Sequence, residues 1–317
     1  MVGNDAADTR TESRRSVIAV VGVPQSPVDT RTPGAVRGSA AVDAAGVARV
    51  SRPARAARPG RARTWVGGLL RALSEVALVV VLYAAYSATR LLADGDVPRA
   101  TANAREVLRI ETWLHLDVER SLNAWLTRMP DLALAASYWY VTLHFVLTPT
   151  VLVLLYLRRP DVYVKARTVL ALATMGALVG YLLLPTAPPR MLPGFTDTLA
   201  STAGSGWWGG ASSAESGVGR ATNELAAMPS LHVGWALWVS GALMLLVRRR
   251  WQRVLAAGYV VGTTLVVVGT ANHWVLDAVA GAGLVVAAAG AVALASRSRQ
   301  QRRSTAARAA IGPCRAS

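Results

Sequence analysis

The chain holds one cysteine and one lysine. Cys314 sits far from the apolar part of the sequence, so a disulfide framework and a cysteine metal site within the chain are both excluded. Lys165 stands alone among arginines, and with the abundance of Ala, Gly and Val this implies a GC-rich bacterial genome such as that of an actinobacterium. Acidic residues are scarce as well, 18 against 34 basic ones, for a net charge of +16. In a soluble domain that excess would suggest nucleic acid. Here the arginines concentrate in the two ends of the chain and in two short loops, a distribution that membrane topology explains better, and no nucleic-acid partner is expected.

Apolar sequence, by contrast, is plentiful. The 317 residues are 53% hydrophobic, and several runs approach the roughly 20 residues needed to cross a bilayer. The expected fold is all-α, a polytopic membrane protein with a six-transmembrane-helix bundle. The spans fall at about 73–93, 132–157, 168–185, 229–247, 252–271 and 273–295. Residues 1–63, rich in Arg, Ala, Pro, Gly and Ser without sustained periodicity, read as a disordered basic tail. Residues 64–296 form the membrane domain, and 297–317 a basic C-terminal tail. Ser16–Val23 is apolar but too short to span, so a cleavable signal is not expected and the first span serves as the targeting signal. Between the first two spans, residues 100–127 have the pattern of an interfacial amphipathic helix. Val107, Leu108, Ile110, Leu114, Leu116, Leu122 and Trp125 make its apolar side, and Arg105, Glu106, Arg109, Glu111, Glu119 and Arg120 its wetter face.

Orientation follows from the basic loops, because Arg and Lys accumulate on the cytoplasmic side. Arg158, Arg159, Lys165 and Arg167 form one loop and Arg248, Arg249, Arg250 and Arg253 another. Both then lie inside with both termini, and the expected location is the plasma membrane, multi-pass. The opposite, extracytoplasmic face receives three polar islands: Pro185-Thr-Ala-Pro-Pro-Arg190, Met228-Pro-Ser-Leu-His232 and Asn272-His-Trp-Val-Leu-Asp277. Ionisable groups at the edge of apolar spans are costly and mark chemistry.

His273 and Asp277 are four residues apart, which puts both on one helical face. A carboxylate there can hold Nδ1–H and leave Nε2 as a nucleophile or base; the bland alternative is a helix-capping His beside a solvated Asp. His232 and Ser230 lie at the start of a helix, where free N–H groups attract phosphate oxygens. Ser230 serves equally well as N-cap or as phosphate donor, and His232 suits proton transfer at a leaving oxygen. Arg190, after three prolines, offers a planar fork to a phosphate, against the alternative of snorkelling to lipid headgroups. A cationic clamp, two histidines and a carboxylate suit phosphoryl transfer through a phosphohistidine without a metal or other cofactor. Zinc on two His and one Asp is the poorer fit, since the Arg and Pro-Ser-His context serves an anion. His115 reads as a surface residue, and the Gly206–Gly210 Trp pair with Trp235, Trp238 and Trp274 as an aromatic belt.

These motifs together resemble the type 2 phosphatidic acid phosphatase superfamily, and within it the branch of inositolphosphotransferases and inositol phosphorylceramide synthases. The resemblance spans roughly residues 70–295. It implies His273 as nucleophile, Asp277 as its orienting partner, His232 as general acid and Arg190 as phosphate ligand. It also draws attention to His144, beside Phe145, which with Tyr140 would line the substrate cavity; a buried structural His is the competing reading. Tyr138 lies on the same span. Two cations of the wider superfamily are absent: Leu183 and Val267 stand where it has Lys and Arg. Phosphate binding then falls to Arg190, Ser230, helix N–H groups and Arg220. The expected substrate is a membrane lipid bearing a phosphate headgroup, with water, inositol or another alcohol as acceptor. Competing readings are a simple lipid phosphate or polyprenyl (pyro)phosphate phosphatase, and a non-catalytic lipid-phosphate-binding membrane protein.

Overall fold

A computed structural model describes residues 61–93, 96–208 and 225–311, with side chains over 73–89, 96–208 and 225–306. Of the tail expected over residues 1–63, residues 1–60 lie outside them, as do Arg220 and Cys314, and residues 61–63 open the first helix. The described residues are helical and contain no strand, apart from one isolated parallel bridge between Thr186 and Ala226.

Helix α1 (Arg61–Ala93) is followed by α2 (Val97–Leu114), α3 (Glu119–Thr127) and α4 (Pro130–Tyr138). A π-helical turn over Trp139–Leu143 joins α4 to α5 (His144–Arg158), and α6 (Pro160–Leu183) follows. An irregular segment with the short α7 (Thr198–Ser201) leads towards α8 (Leu231–Leu246), α9 (Arg250–Gly269) and α10 (Val275–Ile311). Prolines open α2, α4 and α6, where a missing N–H costs nothing.

Among the described residues, four helices are long and apolar enough to cross a membrane: Pro130–Arg158, Pro160–Leu183, Arg250–Gly269 and Val275–Ala306. Of the other two expected spans, α1 is described with side chains over its apolar Leu73–Thr89 part, and α8 is a shorter apolar helix. The 16 residues of α8 measure about 24 Å, less than the roughly 30 Å hydrocarbon layer. Its surroundings account for this, since α8 packs against α5, α6, α9 and α10 and is the hub of the bundle. Val151, Leu155, Leu170, Ala173, Ala236, Trp238 and Val239 bury their side chains around it. At the other extreme α10 continues unbroken past residue 296 to Ile311.

Glycines set how closely the hub is gripped. A Cβ on Gly281 of α10 would stand 2.0 Å from the carbonyl oxygen of Ser230, and one on Gly180 of α6 would stand 2.7 Å from Cδ of Pro229. The start of α8 is therefore wedged between α6 and α10, an approach only small residues allow. The end of α6, the start of α8, the end of α9 and the start of α10 gather at one end of the bundle. Arg158, Arg159 and Arg248 to Arg250 mark the other end.

The region 100–127 departs from the single amphipathic helix expected of it. The chain turns at His115, whose φ of 59° is left-handed, so α2 and α3 are separate helices. Glu111 and Glu119 do not lie on a wetter face: both are fully buried, while Ile110, Trp113, Leu116 and Trp125 are exposed. The cause is a set of backbone N–H groups in α10 that need acceptors.

Candidate active site

The connection from α9 to α10 carries the third polar island and is built like a helix C-cap. The N–H of Ala271 donates to the carbonyl of Val268 (3.0 Å), and the N–H of Asn272 to that of Val267 (3.1 Å). This is a Schellman closure. Its left-handed position is Ala271, with φ 58°, where glycine is the residue without strain. The N–H of His273 also donates to Val267 (3.1 Å), so the backbone of the turn is held up to the histidine.

His273 precedes the first residue of α10 instead of lying on its first turn, and its ring is 5% exposed. Its Nδ1 lies 2.9 Å from the carbonyl oxygen of Ala227, which as a pure acceptor requires Nδ1–H. Asp277 Oδ2 lies farther from the same nitrogen, at 3.5 Å. The tautomer is thus set first by a backbone carbonyl, with the carboxylate as second neighbour. Nε2, left with its lone pair, faces Nδ1 of His232 at 3.4 Å.

Asp277 is fully buried, which removes the solvated-Asp alternative. Its Oδ2 accepts the N–H of Trp274 (2.8 Å), three residues back, as an acidic residue in a helix's first turn does. The next two N–H groups are held from outside the helix. Val275 donates to Glu119 Oε1 (2.9 Å) and Leu276 to Glu111 Oε1 (2.7 Å). Burial, followed by the hydrogen bond and charge of Glu119 and the charge of Asp277, pushes the Glu111 carboxyl up to about 9, against the opposing pull of the Leu276 N–H.

Ser230 is the N-cap of α8: it is fully buried, and its hydroxyl accepts the N–H of Val233 (3.4 Å). Its own N–H donates to the carbonyl of Asp277 (2.9 Å), which ties the start of α8 to that of α10. His232, in the first turn of α8, is half-buried. Tyr140 stacks on its imidazole with centroids 4.3 Å apart, and the His144 ring meets it edge-on at 4.3 Å. The π-helical turn places these two, because its wider winding brings Tyr140 and His144 to the same neighbour. His144 is buried, and its Nδ1 has no hydrogen-bond partner. Tyr138 points elsewhere, donating to Ser205 O (3.1 Å) and meeting Trp208 edge-on.

Arg190 follows the prolines in a short 3-10 turn and its N–H donates to Ala271 O (2.9 Å). The guanidinium donates through Nη1 to Asn272 Oδ1 (2.6 Å), and Nε lies 3.5 Å from Asp197 Oδ2. Asn272 in turn donates to Thr270 Oγ1 (2.9 Å), so the residue before His273 holds the arginine at the site. The first island is also tied to Trp274, whose Nε1 donates to Ala187 O (3.0 Å). The three islands thus form one cluster containing Arg190, Ser230, His232, His273 and Asp277, with Tyr140 and His144 against it.

Leu183 and Val267 supply no charge there: Leu183 is largely exposed, and Val267 is fully buried and contributes its carbonyl. Arg99 of α2 reaches the Leu183 carbonyl through Nη2 (3.1 Å). No group of three or more His, Cys, Asp or Glu among the described residues is placed to hold a metal ion. Sequence reasoning missed Asn272 as a ligand of Arg190, Asn123 of α3, and the inward turn of Glu111 and Glu119. Asn123 is buried and binds Gly269 O, Thr198 Oγ1 and both backbone groups of Thr196.

Residues 105–291 match the family model of the PAP2 superfamily. The chain belongs to that superfamily. Membership, with the apolar helices, makes it a membrane protein and points to a membrane lipid phosphatase-type function. Comparison with curated proteins and with solved structures gave no match. The matched segment begins within α2 and ends within α10, and so takes in all three polar islands.

Proposed function

We propose that the protein transfers or hydrolyses a phosphoryl group of a membrane lipid through a phosphohistidine on His273, at the extracytoplasmic face of the plasma membrane. The observation that carries this reading is the pairing of His273 Nε2 with His232 beside a tethered arginine. Nε2 attacks phosphorus as the bond to the leaving oxygen breaks, and His232 gives that oxygen its proton. The two rings lie 3.4 Å apart at Nε2 and Nδ1 and part to admit the phosphoryl group. Arg190 takes up charge on the phosphoryl oxygens, and the Nδ1–H bonds to Ala227 and Asp277 spread the positive charge that the ring gains. An acceptor then attacks phosphorus, His232 removes its proton, and the nitrogen–phosphorus bond breaks. No step asks for a metal.

Within the superfamily we place the chain with the inositolphosphotransferase-like branch, where an inositol or other alcohol hydroxyl replaces water. The support is the absence of the two further cations at Leu183 and Val267 together with the presence of His144 against the general acid. The outward orientation of the site rests on the arginines at the opposite end of the bundle, and the two shorter apolar helices complete six spans under that reading. The test is a panel of phosphatidic acid, polyprenyl phosphates and phosphatidylinositol-type lipids, with and without free inositol, scored for phosphate release and headgroup exchange. Exchange that outpaces release supports the transferase; release alone makes it a phosphatase. Turnover no higher than background in wild type and His273→Ala alike would leave a lipid-phosphate-binding protein.

A further inference from the structure

Glu111 and Glu119 have no part in that reaction scheme, yet they are fully buried acids from two different helices that converge on the start of α10. With Asp277 they hold three consecutive N–H groups, those of Trp274, Val275 and Leu276, directly after His273. A helix start is ordinarily satisfied by one capping side chain and water. Here each carboxyl also has a second oxygen, Glu111 Oε2, Glu119 Oε2 and Asp277 Oδ1, that is buried and receives no hydrogen bond while all three acids are ionised. Burying acids in this way is expensive unless the arrangement serves something. Nearby cations do not relieve it: Arg109 pairs with Glu106 on the outer side of α2, and Arg190 is engaged by Asn272 and Asp197. The groups that face Glu111 are Glu119 from α3 and Asp277 from α10, with His273 beyond Asp277.

Resting on the reading of His273 as nucleophile, we infer that Glu111 and Glu119 are positioning residues: hydrogen-bonded carboxyls that pin Val275 and Leu276, so that the α2–α3 layer sets where His273 and Asp277 stand. A proton on Glu111 makes the arrangement tolerable, since it removes one negative charge from three converging carboxyls and gives a donor for an otherwise unmatched oxygen. The sign of the pH effect follows. The Glu111 pKa is raised in the folded protein to about 9, above the ordinary value of about 4.3. The folded state therefore binds the extra proton between those limits, and stability falls as pH rises through that window. Near pH 9 the proton is lost and the start of α10 loosens.

Glu111→Gln separates positioning from bulk packing. Its amide keeps an acceptor for Leu276 and a donor towards Glu119 but has no proton to lose. The full-length protein in lipid nanodiscs is assayed with phosphatidic acid for kcat and KM from pH 6 to 10, and its melting temperature is followed over the same range. At pH 7 the expected kcat of Glu111→Gln lies within about threefold of wild type, with the alkaline fall near pH 9 abolished and a flatter melting profile. Glu111→Ala and Glu119→Ala are expected to lower kcat about tenfold or more while KM moves about threefold or less, the mark of a misplaced reacting group. The inference is overturned if Glu111→Gln keeps the wild-type alkaline limb and melting slope, or if both alanine variants keep wild-type kcat. Absence of turnover in every protein on every lipid phosphate overturns the reading of His273 and positioning with it, whereas coincident melting profiles beside normal turnover overturn the carboxyl pair alone.

Discussion

Helices α8 and α10 begin side by side, joined by the bond from the Ser230 N–H to the Asp277 carbonyl, and their starts are opposite in character. The start of α8 has a neutral cap, Ser230, and a half-buried imidazole, His232, in its first turn. The start of α10 is filled by Asp277, Glu111 and Glu119. Both helices present the positive end of a dipole, but only that of α8 is left without acids to meet an anion. Under the proposed function a phosphate would have Arg190 and α8 on its side and find the α10 pole already answered. Under the positioning inference, the acids gathered at the start of α10 hold His273 still. One helix start, in the proposed reaction, faces the ligand and the other fixes the nucleophile.

Substitutions can break or sharpen this contrast. The largest effect is expected on the phosphate side: Arg190→Ala should lower kcat/KM about 10²- to 10³-fold, and Arg190→Lys should recover a small part, because a point charge cannot match the planar fork held by Asn272. Steady-state kinetics on a short-chain lipid phosphate decide it. Next comes the grip between the two helices. Gly281→Ala places a methyl group against the Ser230 carbonyl, a backbone atom that cannot move aside alone. It should cost about 3 kcal/mol in denaturant unfolding. Ser230→Ala should cost about 1 kcal/mol of stability as a lost cap. A fall in kcat/KM beyond tenfold in that variant would put the hydroxyl on the phosphate as well. The smallest effect is a gain: Ala271→Gly relieves the left-handed backbone before Asn272 and should raise stability by about 0.5–1 kcal/mol.

The open side of this contrast was legible in the sequence, and of the filled side only Asp277 was. His232, His273, Asp277 and Arg190 stand out because each interrupts or ends an apolar run, where ionisable side chains are rare. Their gathering at one end of the bundle follows from the lengths and directions of the helices between them. Glu111 and Glu119 looked like the solvated face of an amphipathic helix, because periodicity reports which side chains are polar and not where their partners lie. The signal that inverts the reading is Trp113 and Ile110, apolar neighbours left exposed while the acids turn inward. Asn272 sat inside a motif as a bystander, and its bond to Arg190 depends on a turn that only the Schellman closure at Ala271 creates. The length of α8 was overestimated because hydropathy counts apolar residues without recording that the helix is enclosed by four others.

The most direct test is to trap the phosphoryl group on the protein. Reaction with a lipid phosphate labelled in its phosphoryl group, quenched in alkali where phosphohistidine survives, should leave the label on His273. His273→Ala should carry no label and show no turnover. Label on another residue, or undiminished turnover in His273→Ala, would contradict the account.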